Sequence, residues 1–386
     1  MQCALINAVL LADTPEAEQE WLTGQAVIIE GGRIAAIVDE HALPASVSAR
    51  VNLKGRKLVP GFFDTQVNGG GGVLLNDAPT VDSLAAIAKA HRPYGTTTML
   101  PTLISDDLEV MEAAIAATRE AIAANVPGVV GVHLEGPFLN PERKGVHNET
   151  KFRRIDERAL ALLCSLDQGK TLVTLAPERT DVCTIRALAD AGVVIAAGHT
   201  AGSYDDIRLA LDSGLSSFTH LFNAMSPMTS REPGCVGAAL EDRHSWCGVI
   251  VDGYHVHEAS LRVALQAKPR GKMVLVTDAM PTVGMKDKRF ELNGEMIIAE
   301  NGRCATASGT LAGSDLDMIT AVKNTVEQLG VSLAEAIRMA SLYPAAMMDL
   351  DHEFGSITVG KRANLITLDH DLHVADMWID GERQTL

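Results

Sequence analysis

Positive charge is scarce in this sequence. Against 49 Asp and Glu stand 33 Lys and Arg, a formal net charge of −16 over 386 residues. A field of that sign repels phosphate polymers and anionic lipid, which excludes nucleic acid and membrane surfaces as partners. An anionic small substrate would need a locally basic pocket. Long apolar runs are missing too: nowhere do ~18 apolar residues follow one another, as a spanning helix requires. The opening MQCALINAVLLADTPEAEQE has no basic residue ahead of its apolar run and no small-residue cleavage site, so a soluble, cytoplasmic protein is expected. The six cysteines, Cys3, Cys164, Cys183, Cys235, Cys247 and Cys304, include no C-x-x-C pair. That disfavours a zinc ribbon or a disulfide framework and leaves ordinary reduced thiols. Internal repeats and low-complexity tracts are absent.

What is present is a long chain, 47% hydrophobic and 21% charged, enough for a large core and a smaller appended unit. Both ends read as strands. CALINAVLLA is followed by QAVIIE and RIAAIV around a Gly31-Gly32 turn, and the last thirty residues contain SITV, NLITLD and HVADMWIDGER. Because domain termini often lie close together, these segments are expected to form one split β-sandwich domain from residues 1–56 and 354–386. Residues 57–353 alternate apolar strands with amphipathic helices. Ser105 reads as the cap of a helix whose Leu108, Met111, Ile115 and Ile122 share one face, and Ser332 with Glu335 reads as a capping box for a helix ending near Tyr343-Pro344. VVGVHLE, TLVTLAPE, VVIAAGH, SSFTH and MVLVTD are near-continuous apolar runs, as parallel strands covered on both faces should be. The pattern fits an α/β fold, a (β/α)8 TIM-like barrel whose chemistry sits at the C-terminal ends of its strands.

Those ends carry Glu135, His199, His220 and Asp278. Two imidazoles and carboxylates at neighbouring strand ends can converge on one axis, giving a cation three protein ligands and an open fourth position. A single His or Glu at a strand end usually only satisfies hydrogen bonds; four in register point to a metal. His133, two residues before Glu135 and on the same strand face, is expected to support the site or pack in the core.

PGFFDTQVNGGGG, HLEGPFLNPERKGVHN, LAPE, GHT, THLFNAMSPM followed by REPG, DGYH, LVTDAM and GTLAGS succeed one another along nearly the whole chain. In this the sequence resembles the N-acetylglucosamine-6-phosphate deacetylase family of the amidohydrolase superfamily. The resemblance implies that Glu135, His199 and His220 are metal ligands, Asp278 the catalytic carboxylate and His147 a group polarising the substrate carbonyl. It implies that Arg231 and His255 meet the phosphate, that Asn223 and Ala224 contact sugar or phosphate, and that Leu311, Ala312 and Gly313 line the site. Where two-metal relatives in the superfamily carry His-x-His, this sequence has Gln66-x-Asn68. Neutral amides are weak zinc ligands beside imidazole, so a single divalent cation is expected, zinc by its geometry, with Fe2+, Co2+ and Mn2+ also compatible. Glycines 69–72 are expected to let the backbone turn tightly nearby.

The implied reaction releases acetate from N-acetyl-D-glucosamine 6-phosphate in amino-sugar catabolism or wall recycling, with Asp278 acting as base and then acid. The alternatives are the N-acetyl-D-galactosamine 6-phosphate enzyme, a non-catalytic interaction protein on the same scaffold, and a cyclic-amide hydrolase. Retention of the four strand-end residues argues against the second. The third would want His-x-His, a lysine and no phosphate-binding Arg. A homodimer is expected, in which Arg231 or His255 could reach a neighbouring site.

Overall fold

The computed structural model describes residues 2–12 and 19–386. Eight parallel strands form the centre: β1 (Phe62–Val67), β2 (Thr96–Ile104), β3 (Gly131–Glu135), β4 (Lys170–Leu175), β5 (Val194–Ala197), β6 (Ser217–Phe218), β7 (Trp246–Val249) and β8 (Met273–Leu275). Each pairs with its neighbours in sequence order, and a parallel bridge from Val67 to Ala279 joins β1 to the chain just beyond β8. That closes the barrel. Every residue of β1, β2 and β3 is buried, so these strands show no alternation of inward apolar and outward polar residues, and the polar side chains they carry, such as Asp64, Gln66, Thr102 and His133, are buried too. The helix Leu108–Ala123 buries Leu108, Met111 and Ile115 against the barrel, as their spacing predicts.

Three local expectations are corrected. Asp107, not Ser105, is the N-cap of that helix, which leaves the Ser105 hydroxyl free for another partner. SITV is not a strand. The helix opened by Ser332 stops at Met339, and Tyr343-Pro344 lies in the first turn of the next, Leu342–Met347, where proline loses no hydrogen bond. Strands β2 and β7, and the three-stranded insert Arg289–Leu292, Glu295–Glu300 and Arg303–Ala305 that follows β8, were not anticipated.

Both chain ends build two further sheets. One holds Cys3–Ile6, Gln25–Glu30, Arg33–Asp39 and Ala49–Asn52. Its hairpin turns at Gly31 and Gly32, both at positive φ (56° and 81°), the conformation a two-residue type I′ turn demands. The other runs Glu382–Arg383, Val374–Ile379, Leu365–Leu368, Lys57–Pro60, Val9–Leu11 and Trp21–Leu22, so it reaches four residues past the boundary expected at 56. Leu5, Val27, Ile29 and Ile34 of the first sheet pack against Leu10, Leu58, Leu365 and Trp378 of the second. Among the described residues, no helix is long and apolar enough to cross a membrane.

Candidate metal and substrate site

The strands deliver their polar ends to one place because the chain leaves the sheet abruptly there. His199, His220 and Asp278 follow β5, β6 and β8 in left-handed conformations, with φ of 48°, 32° and 53°. Each costs ~1–3 kcal/mol, a strain found where function over-determines the backbone. Asp278 is clamped on both sides: its N–H donates to Gln66 O at 3.0 Å, and its carbonyl accepts from Ser314 N–H at 2.8 Å.

Glu135 Oε1 lies 3.2 Å from His199 Nε2 and 3.0 Å from His220 Nε2, and the two nitrogens are 3.1 Å apart. A tetrahedral ion with bonds of ~2.0–2.1 Å separates its ligands by about 3.3–3.4 Å, so this triangle is close to the face such an ion occupies. The tautomers fit as well. His199 Nδ1 sits 2.7 Å from Arg143 O, a carbonyl that can only accept, so Nδ1 carries the hydrogen and Nε2 of the neutral ring presents its lone pair. That lone pair, a second imidazole nitrogen and a carboxylate oxygen within about 3 Å of one another suit a cation placed between them. All three residues are buried, and together they form a group suited to a divalent cation.

The expected neighbours divide into those that share this cavity and those that do not. A cavity of about 260 Å³ is lined by the three ligand residues with His147, Asn223, Ala224, His255, Asp278, Leu311 and Gly313. Ala312 is fully buried behind that wall. Arg231 is exposed and does not line the cavity of its own chain. His133 lies off the ligand group, its ring nitrogens 3.2 Å from Thr102 Oγ1 and 2.8 Å from Thr174 Oγ1.

Gln66 and Asn68 point at the carboxylates. Gln66 Nε2 donates to Glu135 Oε2 at 3.2 Å, and Asn68 Nδ2 donates to Asp278 Oδ1 at 2.6 Å. Asn68 Oδ1 is buried with no partner among the described residues, an acceptor left for a bound molecule. The glycines that follow are spatially required. A Cβ on Gly69 would lie 2.4 Å from Val73 O, and one on Gly70 would lie 2.8 Å from His91 Nε2.

Electrostatics separates two roles. Burial first, then the Glu135 charge, pushes the Asp278 carboxyl up to about 6, against opposing contributions from His220, His255 and Asn68. A carboxylate near neutrality can both take and return a proton. Burial, with His199 second, drives His147 down to about 3, so its ring is neutral. Its Nδ1 lies 2.8 Å from Ser105 Oγ and accepts the Ser105 backbone N–H at 3.3 Å. A backbone N–H can only donate, so Nδ1 is an acceptor and Nε2 carries the hydrogen. His147 therefore presents an N–H to the cavity and cannot serve as a base there. His255 is held by Asp252, with Nδ1 to Oδ2 at 2.6 Å.

Sequence reasoning did not single out Ser105 or Asp252 in these supporting roles, nor Glu178, whose carboxylate accepts from Thr200 and Ala201 just beyond His199. Asp252 and Glu178 lie inside quoted motifs, DGYH and LAPE; Ser105 gave a helix-cap signal instead.

The Amidohydrolase family model matches residues 58–384. The chain is 43% identical over 325 residues to the N-acetylgalactosamine-6-phosphate deacetylase of Shewanella sp. (strain ANA-3), a match covering 84% of this chain and 82% of that one. It is 34% identical over 385 residues to the N-acetylglucosamine-6-phosphate deacetylase of Haemophilus influenzae, covering 99% of each. The crystal structure of N-acetylglucosamine-6-phosphate deacetylase from Pasteurella multocida superimposes with a TM-score of 0.95 at 35% identity, over 100% of both chains. With the closed barrel, the chain-end sheets and the Glu/His/His group in place, this chain belongs to the amidohydrolase family.

Proposed function

We propose that this protein hydrolyses N-acetyl-D-glucosamine 6-phosphate to D-glucosamine 6-phosphate and acetate, using one divalent cation, zinc, held by Glu135, His199 and His220. The observation that carries the reading is the 3.0–3.2 Å triangle of those donors on the wall of a cavity that Asp278 and His147 also line. The relatives' names supply the substrate class, an N-acetylated hexosamine 6-phosphate.

When bound, the cation polarises the amide carbonyl and makes water acidic enough to attack near neutral pH. Asp278 takes a proton from the attacking water as its oxygen bonds to the carbonyl carbon. His147 donates its Nε2–H to the carbonyl oxygen as negative charge grows there, the kind of contribution that dominates acyl transfer. Asp278 then gives its proton to the amide nitrogen, which leaves as the free amine while the C–N electron pair stays on nitrogen. Gln66 and Asn68 steady the two carboxylates, and Asn68 Oδ1 is placed to accept from substrate or water. His255 and Arg231 take the phosphate; Asn223, Ala224 and the Leu311–Gly313 segment form the sugar wall.

Arg231 is exposed and off its own cavity, which supports a homodimer in which it reaches the partner's site. A phosphorylated substrate supports a cytoplasmic reaction, in amino-sugar catabolism or wall recycling. A second reading, the galacto epimer as substrate, is favoured by the 43% identity to an enzyme of that name.

The test is acetate release from both hexosamine 6-phosphates and their unphosphorylated forms, with metal content and sedimentation measured on the same preparation. Turnover of the gluco 6-phosphate with about one zinc per chain is expected. Faster galacto turnover would install the second reading, and no acetate from either would end both. Arg231→Ala should cost about 2 kcal/mol, roughly thirty-fold in kcat/KM, with the phosphorylated sugar only.

A further inference from the structure

Glu178 neither lines the cavity nor belongs to the Glu135–His199–His220 group, yet loops from three barrel strands meet on its carboxylate. It lies on the short turn Pro177–Arg179 beyond β4. Its Oε1 accepts the Asn140 side-chain amide at 2.8 Å and the Ala201 backbone N–H at 2.9 Å, and its Oε2 accepts the Thr200 hydroxyl at 2.5 Å. Thr200 and Ala201 are the two residues that follow His199. Asn140 belongs to the loop leaving β3, and its own N–H donates to the His199 carbonyl at 3.0 Å. Thr200 passes the connection on. Its N–H donates to Ala224 O at 3.1 Å, and its carbonyl accepts from Ser226 N–H at 3.0 Å.

His199 stands at a φ of 48° and Ala224 at 50°, conformations that neither side chain prefers. Something must hold both against relaxation. Hydrogen bonds to an ionised carboxylate are about twice as strong as neutral ones, and here one carboxylate receives three, two from the residues that follow His199 and one from Asn140, which is itself bonded to the His199 carbonyl. Of the residues it grips, Thr200 is the one bonded directly to the Asn223–Ser226 loop, through Ala224 and Ser226.

We propose that Glu178 is a positioning residue: its carboxylate fixes the loop leaving His199 at Thr200 and Ala201, and the Thr200 backbone carries that constraint to the loop with Asn223 and Ala224, so one group outside the site sets metal affinity and sugar affinity together. The inference rests on His199 being a metal ligand, and the experiment separates the two claims. Glu178→Met, which removes both acceptor oxygens, and Thr200→Val, which removes the hydroxyl that donates to Oε2, are made singly and together. Zinc affinity is measured by equilibrium competition with a chelator, alongside kcat, KM and melting temperature.

Each single variant should weaken zinc about 10- to 100-fold, as loss of support behind a liganding His does, and should raise KM for the phosphorylated sugar. The double variant should be no worse than the worse single, because both cut the same bond. Zinc affinity and KM within twofold of wild type, whatever the melting temperature does, would overturn the proposal. So would losses that multiply in the double variant. His199→Ala is the control: if it binds zinc as tightly as wild type, the ligand assignment fails and the proposal with it.

Discussion

The mouth of the barrel has two poles. At one, Glu135, His199 and His220 bring three donors within 3.2 Å of one another, two of them from strained backbone. At the other, Gln66 lies one residue before the end of an ordinary extended strand and Asn68 just after it, both with neutral amides. The first pole concentrates charge and lone pairs suited to a cation. The second spends N–H groups on the Glu135 and Asp278 carboxylates and leaves the buried acceptor Asn68 Oδ1 without a partner among the described residues. Position around a barrel does not by itself decide which strand binds metal; the side-chain chemistry at the strand end does.

The contrast can be broken from the metal side first. Stripping the cation with a chelator should lower kcat by ~10³-fold or more, since a cation contributes several kcal/mol to such a transition state, and zinc should restore it. Activity that survives verified metal removal would discard the first pole as described. Asp278→Asn should lower kcat by ~10²- to 10⁴-fold with metal content nearly unchanged. Near-wild-type turnover there would remove Asp278 from the chemistry.

The poles meet at Asp278, and pH reads the meeting. With its carboxyl pushed up to about 6, the base is progressively protonated below that pH, so kcat/KM should fall about tenfold per unit on the acid side. Bound positive charge draws that limb lower. Asn68 donates to the ionised form and so favours it; Asn68→Leu should move the limb to higher pH. A limb that stays put would mean the amide does not tune the base. Ser105→Ala should cost about 1 kcal/mol in kcat, roughly five-fold, with Ser105→Thr recovering most of it. Nitrogen NMR of the imidazole should show His147 as the Nε2–H tautomer in the wild type; a proton on Nδ1 would contradict the assignment. Smallest in rate, but sharpest for the comparison, is Gln66→His with Asn68→His. Two imidazoles facing Glu135 should raise metal from about one to about two per chain with little gain in activity. Two ions already bound by the wild type through Gln66 or Asn68 would erase the distinction between the poles.

The ligand residues and Asp278 were legible because each ends an apolar run, where a lone polar residue stands out. Supporting contacts were not, because they depend on which loops come together. Ser105 carries the signature of a helix cap, yet the helix begins two residues after that reading allows, and the hydroxyl turns to His147. Glu178 sits in a quoted motif, but its three partners come from the loops beyond β3 and β5. Strand β2 hid behind Pro101, which a central strand rarely tolerates; the register shifts between Met99 and Pro101 and absorbs the missing donor. Arg231 was readable as part of a motif, whereas its exposure belongs to the surface and left no mark in the local pattern.

The pairing of Lys57–Pro60 with Leu365–Leu368 joins residues about three hundred positions apart. On a ribosome, where a chain emerges at ~5–20 residues per second, the N-terminal strands wait tens of seconds for the segment that completes their sheet. Lys57–Pro60 also leads straight into β1, the strand that closes the barrel. Strands synthesised about three hundred residues later therefore complete the sheet from which the barrel's first strand departs. A nascent chain stalled before residue 365 would expose the edge of Lys57–Pro60, an unpaired apolar strand of the kind that recruits chaperones or other chains.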